Sequence, residues 1–142
     1  MKNNKLLMIM IVMLVAIALV GAIAVTIILK TSNEGKEKEP SIEEIIEASV
    51  DVPELTTNLA SNDFIRISFK IQTDGKKAKE ELEQRDFQVK NIIIQELSEK
   101  KSEELKSKEG KIQLENTLKE KIDSLMQEGH VVKVYITQSL LQ

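Results

Sequence analysis

One histidine, His130, and paired carboxylates, at Glu80/Glu81, Glu103/Glu104 and Glu115/Asp123 among others, are the residues whose types and spacing could do chemistry. A carboxylate pair supplies a general acid only where burial raises the pKa of one member. These pairs are interleaved with lysines on faces that read as exposed helix, the pattern of a solvated surface. His130 falls between a helix-stopping glycine and a strand, the place of a loop or cap residue. The chain has no cysteine, which excludes disulfides, thiol chemistry and a lipid-modified cysteine anchor. With one histidine, no zinc site of standard spacing can be built. The five glycines form no phosphate-cradling loop. One tyrosine and three phenylalanines offer no aromatic platform for a sugar. A net charge of −3 without a basic stripe makes nucleic acid an unsuitable partner. The expectation is a binding or scaffolding module with no catalytic residue, metal or cofactor.

What must position such a module is dominated by one feature. Leu6 to Leu29 is an uncharged, proline-free run of 24 residues, polar only at Thr26. As a helix it would be roughly 36 Å long, enough to cross a hydrocarbon core of about 30 Å. Lys2 and Lys5 followed by Ala22-Ile23-Ala24 also resemble a cleavable secretory signal. The apolar run outlasts that site through Val25 to Leu29, which favours a retained membrane span. Lysines flank the run on both sides, so their count barely decides orientation. Their clustering in the first five residues favours a cytoplasmic N-terminus. Ala18, Gly21 and Ala22 recur at helical spacing, and Ala18/Ala22 is a small-xxx-small pair that permits close helix packing. Alanine and glycine are also simply common in membrane helices. No ionisable residue interrupts the run, so the chain has no polar path of its own for ions or protons.

The expected organisation is a cytoplasmic tail (1–5), a transmembrane helix (6–29), a polar linker (30–40) and an extracytoplasmic domain (41–142). A domain of this size buries one modest core. Ser41 and Glu44 stand in capping-box spacing before Ile42, Ile45 and Ile46. This segment reads as a helix or as the lead into a strand near Ala48 to Val52, with Pro53 ending either one. In Phe64 to Gln72, Ile65, Ile67, Phe69 and Ile71 alternate with polar residues, a half-buried strand. Thr73-Asp74-Gly75 is turn chemistry. Lys76 to Gln84 reads as a short charged helix, and Val89, Ile92, Ile93 and Leu97 as a 3.6-period apolar stripe. Ser98 to Lys111 is charged, with a break expected at Gly110. Leu114, Leu118, Ile122, Leu125 and Met126 share one face of a further helix, supported by Glu115 and Lys119 at i,i+4, with Gly129 at its C′ position. Val132, Val134 and Ile136 alternate into a terminal strand. The order strand–strand–helix–helix–strand is an α+β reading, with helices on one face of a small sheet.

Three local patterns behind the apolar run resemble the FliL family of flagellar basal-body-associated membrane proteins. The first is Thr57-Asn58-Leu59, ahead of the long strand. The second is Arg85-Asp86, leading into "VKNIIIQELSEKKSEEL". The third is the terminus "GHVVKVYITQSLLQ", against a family ending of the kind V-Y-F-T-x-F-x-x-Q. Val134, Tyr135, Thr137 and Gln142 match it, while Ile136 and Ser139 stand where the family often places aromatics. The likeness covers Lys2 to Gln142 in its order of parts.

The resemblance implies a single-pass protein of the cell membrane with its C-terminal domain outside, of stomatin/prohibitin-type (SPFH) fold. It implies self-association into a ring around the stator, the ion-conducting torque unit of the motor, with other basal-body proteins as further partners. The ring would hold stator units in their active state and support flagellar rotation and motility. Two other classes fit the residues: a single-pass adaptor of a secretion or division complex, and a small envelope hydrolase.

Overall fold

The computed structural model describes residues 2–34 and 38–142, in two units, 1–39 and 40–142. Of the expected linker, 35–37 lie outside the described residues.

The first unit is one helix, α1 (Lys2–Glu34). Within it Asn3–Thr31 is long and apolar enough to cross a membrane. The helix continues past Leu29 because Lys30 and Thr31 are compatible with helix, and the Thr31 hydroxyl donates to the Ile27 carbonyl at 2.9 Å. Thr26 likewise donates to the Ala22 and Ile23 carbonyls, at 2.8 and 2.9 Å. The run's polar side chain is therefore satisfied inside its own helix, which a lipid environment requires.

The second unit is α+β. A three-stranded antiparallel sheet of order β1-β2-β3 is built from β1 (Ser49–Asn58), β2 (Phe64–Thr73) and β3 (Val131–Leu141). Ahead of it stands the short α2 (Ile42–Glu47), whose N-cap Ser41 forms the expected capping box with Glu44. Between β2 and β3 come α3 (Lys76–Gln84), α4 (Asp86–Ser98), α5 (Ser102–Lys106) and α6 (Lys108–Asp123). Period 2 in β2 sends Ile65, Ile67, Phe69 and Ile71 into the core, each at most 1% exposed. Val89, Ile93 and Leu97 of α4 and Leu114, Leu118 and Ile122 of α6 close over that face. The other side of β2 carries Arg66, Ser68, Lys70 and Gln72, and there Lys70 pairs with Asp51 at 3.1 Å.

Several local readings are corrected. Pro53 does not end β1: the register shifts between Val52 and Leu55, so Pro53 sits in a bulge of an outer strand where its missing N–H is tolerated. Gly110 is not a break. The chain breaks at Ser107, whose side chain caps α6 by accepting from Gly110 N at 3.0 Å. Gly110 is inside the first turn of α6, where a Cβ would collide with the Glu104 carbonyl of α5. Gly129 lies beyond the helix end rather than at C′, because α6 stops at Asp123; its φ of +74° serves the turn into β3. Val132 is 45% exposed rather than inward, since a register shift at Gln72/Thr73 makes Val131 and Val134 the buried residues instead. Gln72 is buried, under the Tyr135 hydroxyl that donates to it at 3.0 Å. Glu115 turns away from Lys119 and accepts from Ile136 N of β3 at 2.8 Å.

Candidate functional site

The side chains singled out by type or pattern fall into three places in the domain. At one end of the sheet, Thr57 and Asn58 close β1, and Leu59 is buried just beyond it. Asn58 pairs with Phe64, and Phe64 exchanges two backbone hydrogen bonds with Gln142, at 2.9 and 2.8 Å. The Thr57-Asn58-Leu59 pattern and the terminal glutamine thus meet across β2. The loop between β1 and β2 is tied to α5: Ser61 donates to Asp63 at 2.8 Å and accepts from Ser102 N at 3.0 Å. Hydrogen bonds from Ser102 and Ser61 hold the Asp63 carboxyl below the usual carboxylate range.

Arg85 and Asp86 lie elsewhere, at the junction of α3 and α4. Arg85 donates to Glu81 at 2.7 Å and to Gln88 at 2.9 Å. The Glu81 carboxylate also accepts from the backbone N–H groups of Gln127 and Glu128, at 3.0 and 2.7 Å. It therefore fastens the loop before β3 to α3. The Glu128 N–H is the largest cause of a lowered Glu81 pKa, with Arg85 and Gln127 adding to it against desolvation. Asp86 makes an ordinary i,i+4 pair with Lys90 at 2.7 Å.

On β3, Val134 is buried against the core and Tyr135 is half-buried under Lys133, whose Nζ stands 4.9 Å from the ring centre. Thr137 sits where the register slips between Ser68 and Phe69. Ala18, Gly21 and Ala22 are exposed along α1, and a Cβ at Gly21 would meet nothing within 4 Å.

The carboxylates flagged as chemically capable are largely engaged in holding the fold. Glu103 pairs with Lys106, and Glu104 accepts from Lys101 N. Asp123 accepts from Val131 N at 2.7 Å, and its other neighbour, His130 Nδ1 at 3.4 Å, is 76% exposed. Where carboxyl pKa values move, at Asp63 and Glu81, they move down, opposite to the direction a general acid requires. Among the described residues no group of three or more His, Asp or Glu is placed to hold a metal. Sequence reasoning missed a buried carboxylate, Glu96, which is 5% exposed between Lys121 and Lys100. Its i,i+4 spacing to Lys100 was the available signal, but the partner on α6 was invisible. Glu96 raises the pKa of Lys121 by hydrogen bonding and charge.

Relatedness decides the class. Residues 49–142 match the family described as "Flagellar basal body-associated protein FliL". That match takes in the whole sheet and every helix between its strands. The chain belongs to the FliL family. It is 47% identical over 115 residues to the flagellar protein FliL of Bacillus subtilis (strain 168), covering 81% of this chain and 82% of that one. It is 28% identical over 93 residues to the flagellar protein FliL of Aquifex aeolicus (strain VF5), covering 63% of this chain and 58% of the relative. FliL membership makes this a flagellar protein, and its apolar α1 is consistent with a membrane anchor.

Proposed function

We propose that this protein is a non-enzymatic accessory of the flagellar motor. It spans the membrane once through Leu6 to Leu29, with residues 1–5 in the cytoplasm, 30–40 as a spacer and the domain from 41 onward outside. There the domain, of stomatin/prohibitin type, self-associates into a ring around the ion-conducting stator and supports rotation under load. The observation that carries this reading is the FliL match over residues 49–142, the whole sheet and every helix between its strands. Two features support it. The apolar run has no ionisable group with which to conduct ions itself. Glu81, Glu96, Glu115 and Asp123 are occupied by backbone amide or lysine partners that hold the fold. The family-pattern residues are placed to hold the fold: Thr57, Asn58, Leu59 and Gln142 lie at the sheet end, and Arg85 braces Glu81, which ties the loop before β3.

The test is deletion of the gene with complementation, read as swimming speed in media of rising viscosity and as co-purification of the tagged protein. The reading expects speed to fall most at high load and stator subunits to co-purify. Normal motility at every load, or co-purification with a secretion or division complex and no motor protein, would overturn it. His130→Ala should complement fully; failure by a folded, inserted protein would reopen catalysis.

A further inference from the structure

The domain carries two surfaces of opposite charge, one on the helix leading into the outer strand β1 and one along the other outer strand β3, and neither is partnered among the described residues. The first is α2. Ile42 and Ile46 are 67% and 54% exposed, side by side at i,i+4. Next to them Glu43 and Glu47 have no cation partner among the described residues, whereas Glu44 is used in the capping box. The helix is held in place at its exit, where the Ala48 carbonyl accepts from Thr73 N and Oγ1 at 3.0 and 2.6 Å. The second surface is a groove of about 480 Å³ between the first turns of α6 and the middle of β3. Its floor includes Ile136 and Ser139, and Ile112 on its wall is 44% exposed. Lys108 and Lys111 project beside Ile112 without a carboxylate partner among the described residues. They stand at the N-terminal end of a 16-residue helix, where the peptide dipoles already favour an anion.

We infer that α2 of one copy docks in the α6/β3 groove of the next, with Ile42 and Ile46 against Ile112 and with Glu43 and Glu47 against Lys108 and Lys111. This rests on the self-association proposed above and names its contact. Charge and apolar character are complementary at these four positions of α2, and the one carboxylate lining the groove, Glu115, is held by the Ile136 amide. The sheet order β1-β2-β3 puts α2, which leads into β1, and the groove beyond β3 about two strand spacings, roughly 10 Å, apart. A chain whose α2 is anchored at Thr73 does not fill its own groove, so the contact is between copies; repeated in one direction it is head to tail, the kind that closes rings. A six-residue helix covers far less than the roughly 1,600 Å² of a standard stable interface. The contact is therefore weak in solution and needs the shared membrane to raise its effective concentration.

The absence of cysteine makes the test direct. Full-length Ile46→Cys and Ile112→Cys chains are co-expressed in membranes, oxidised and compared with each expressed alone. The inference expects a disulfide-linked dimer from the mixture and none from either single variant. Adding Lys108→Glu and Lys111→Glu to the Ile112→Cys chain should cut that yield at least ten-fold. Adding Glu43→Lys and Glu47→Lys to its partner should restore it. Native electrophoresis of the same membranes separates the two levels. Oligomers without the Ile46–Ile112 crosslink overturn this contact and leave self-association standing, whereas monomers alone overturn both. Crosslinking of Ile112→Cys chains to each other would place a two-fold dimer on the groove and refute head-to-tail docking.

Discussion

Replacing Ile67 by alanine tests the architecture at its centre. Ile67 is 1% exposed in the middle of β2, between Leu55 on β1 and Ser139 on β3. The substitution removes three carbons, worth about 0.8 kcal/mol each, or about 2.4 kcal/mol in transfer alone. The unfilled space adds to this, so the expected loss is about 3–4 kcal/mol. For a domain of this size each kcal/mol moves the melting temperature by about 4–8 °C, so a fall of roughly 12–30 °C is expected. A domain with about 5–15 kcal/mol of stability survives that at room temperature. Ile67→Asp adds an unpaired buried charge and should not fold. One residue along, Ser68 points to the opposite face, so Ser68→Ala should stay within about 0.5 kcal/mol. Tyr135 is the sole tyrosine in a chain without tryptophan, and its hydroxyl bond to Gln72 ties it to β2. Its emission therefore follows the sheet during urea unfolding of the full chain in detergent. If Ser68→Ala costs as much as Ile67→Ala, the second face of the sheet is covered too and the one-sided core is wrong.

Gly110→Ala should destabilise by about 1–3 kcal/mol, since its Cβ must displace the Glu104 carbonyl and the Ser107 cap; an unchanged urea midpoint would refute the tight α5–α6 corner. Glu81 has a lowered folded pKa, so its stabilisation is complete above the unfolded value of about 4.3 and is lost as pH falls through the folded one. Glu81→Gln should accordingly weaken the domain at neutral pH, and the difference from wild type should vanish under acid; a constant gap across an acid titration would show that the carboxylate charge is not what holds the loop. In membranes, Ala18→Leu with Ala22→Leu should insert normally and lower the yield of crosslinked oligomers; unchanged crosslinking would mean that this stripe only faces lipid.

The parts most legible in the sequence were those governed by periodicity. The alternation in β2, the α4 stripe and Leu114, Leu118 and Ile122 of the α6 stripe are each set by apolar burial on one face, which needs no knowledge of the partner, whereas Leu125 and Met126, expected on the same stripe, lie past the end of α6. The bounds of α3 followed from the turn residues before it. What stayed hidden depended on contacts across the chain. Pro53 reads as a stop until the strand is known to be an outer one with a bulge. Gly110 reads as a breaker until α5 is seen packed against its Cα. Val132 alternates correctly but is displaced by a slip that arises from pairing with β2. At the candidate site, Glu81 and Arg85 have visible helical spacing, yet the two loop amides that define the role of Glu81 lie more than forty residues away.

The two carboxylates that α6 sends to β3 have a further consequence. Asp123 and Glu115 occupy the amides of Val131 and Ile136, and the register slip at Thr137 breaks the row that remains. On the far side, Pro53 removes a donor from β1. Bare sheet edges crowded together on a membrane would zip into continuous intermolecular β-structure, which does not readily come apart. With both borders blunted, neighbouring copies are left to meet through side chains. If copies gather as proposed, such side-chain contacts can form and part reversibly, where fused sheets could not.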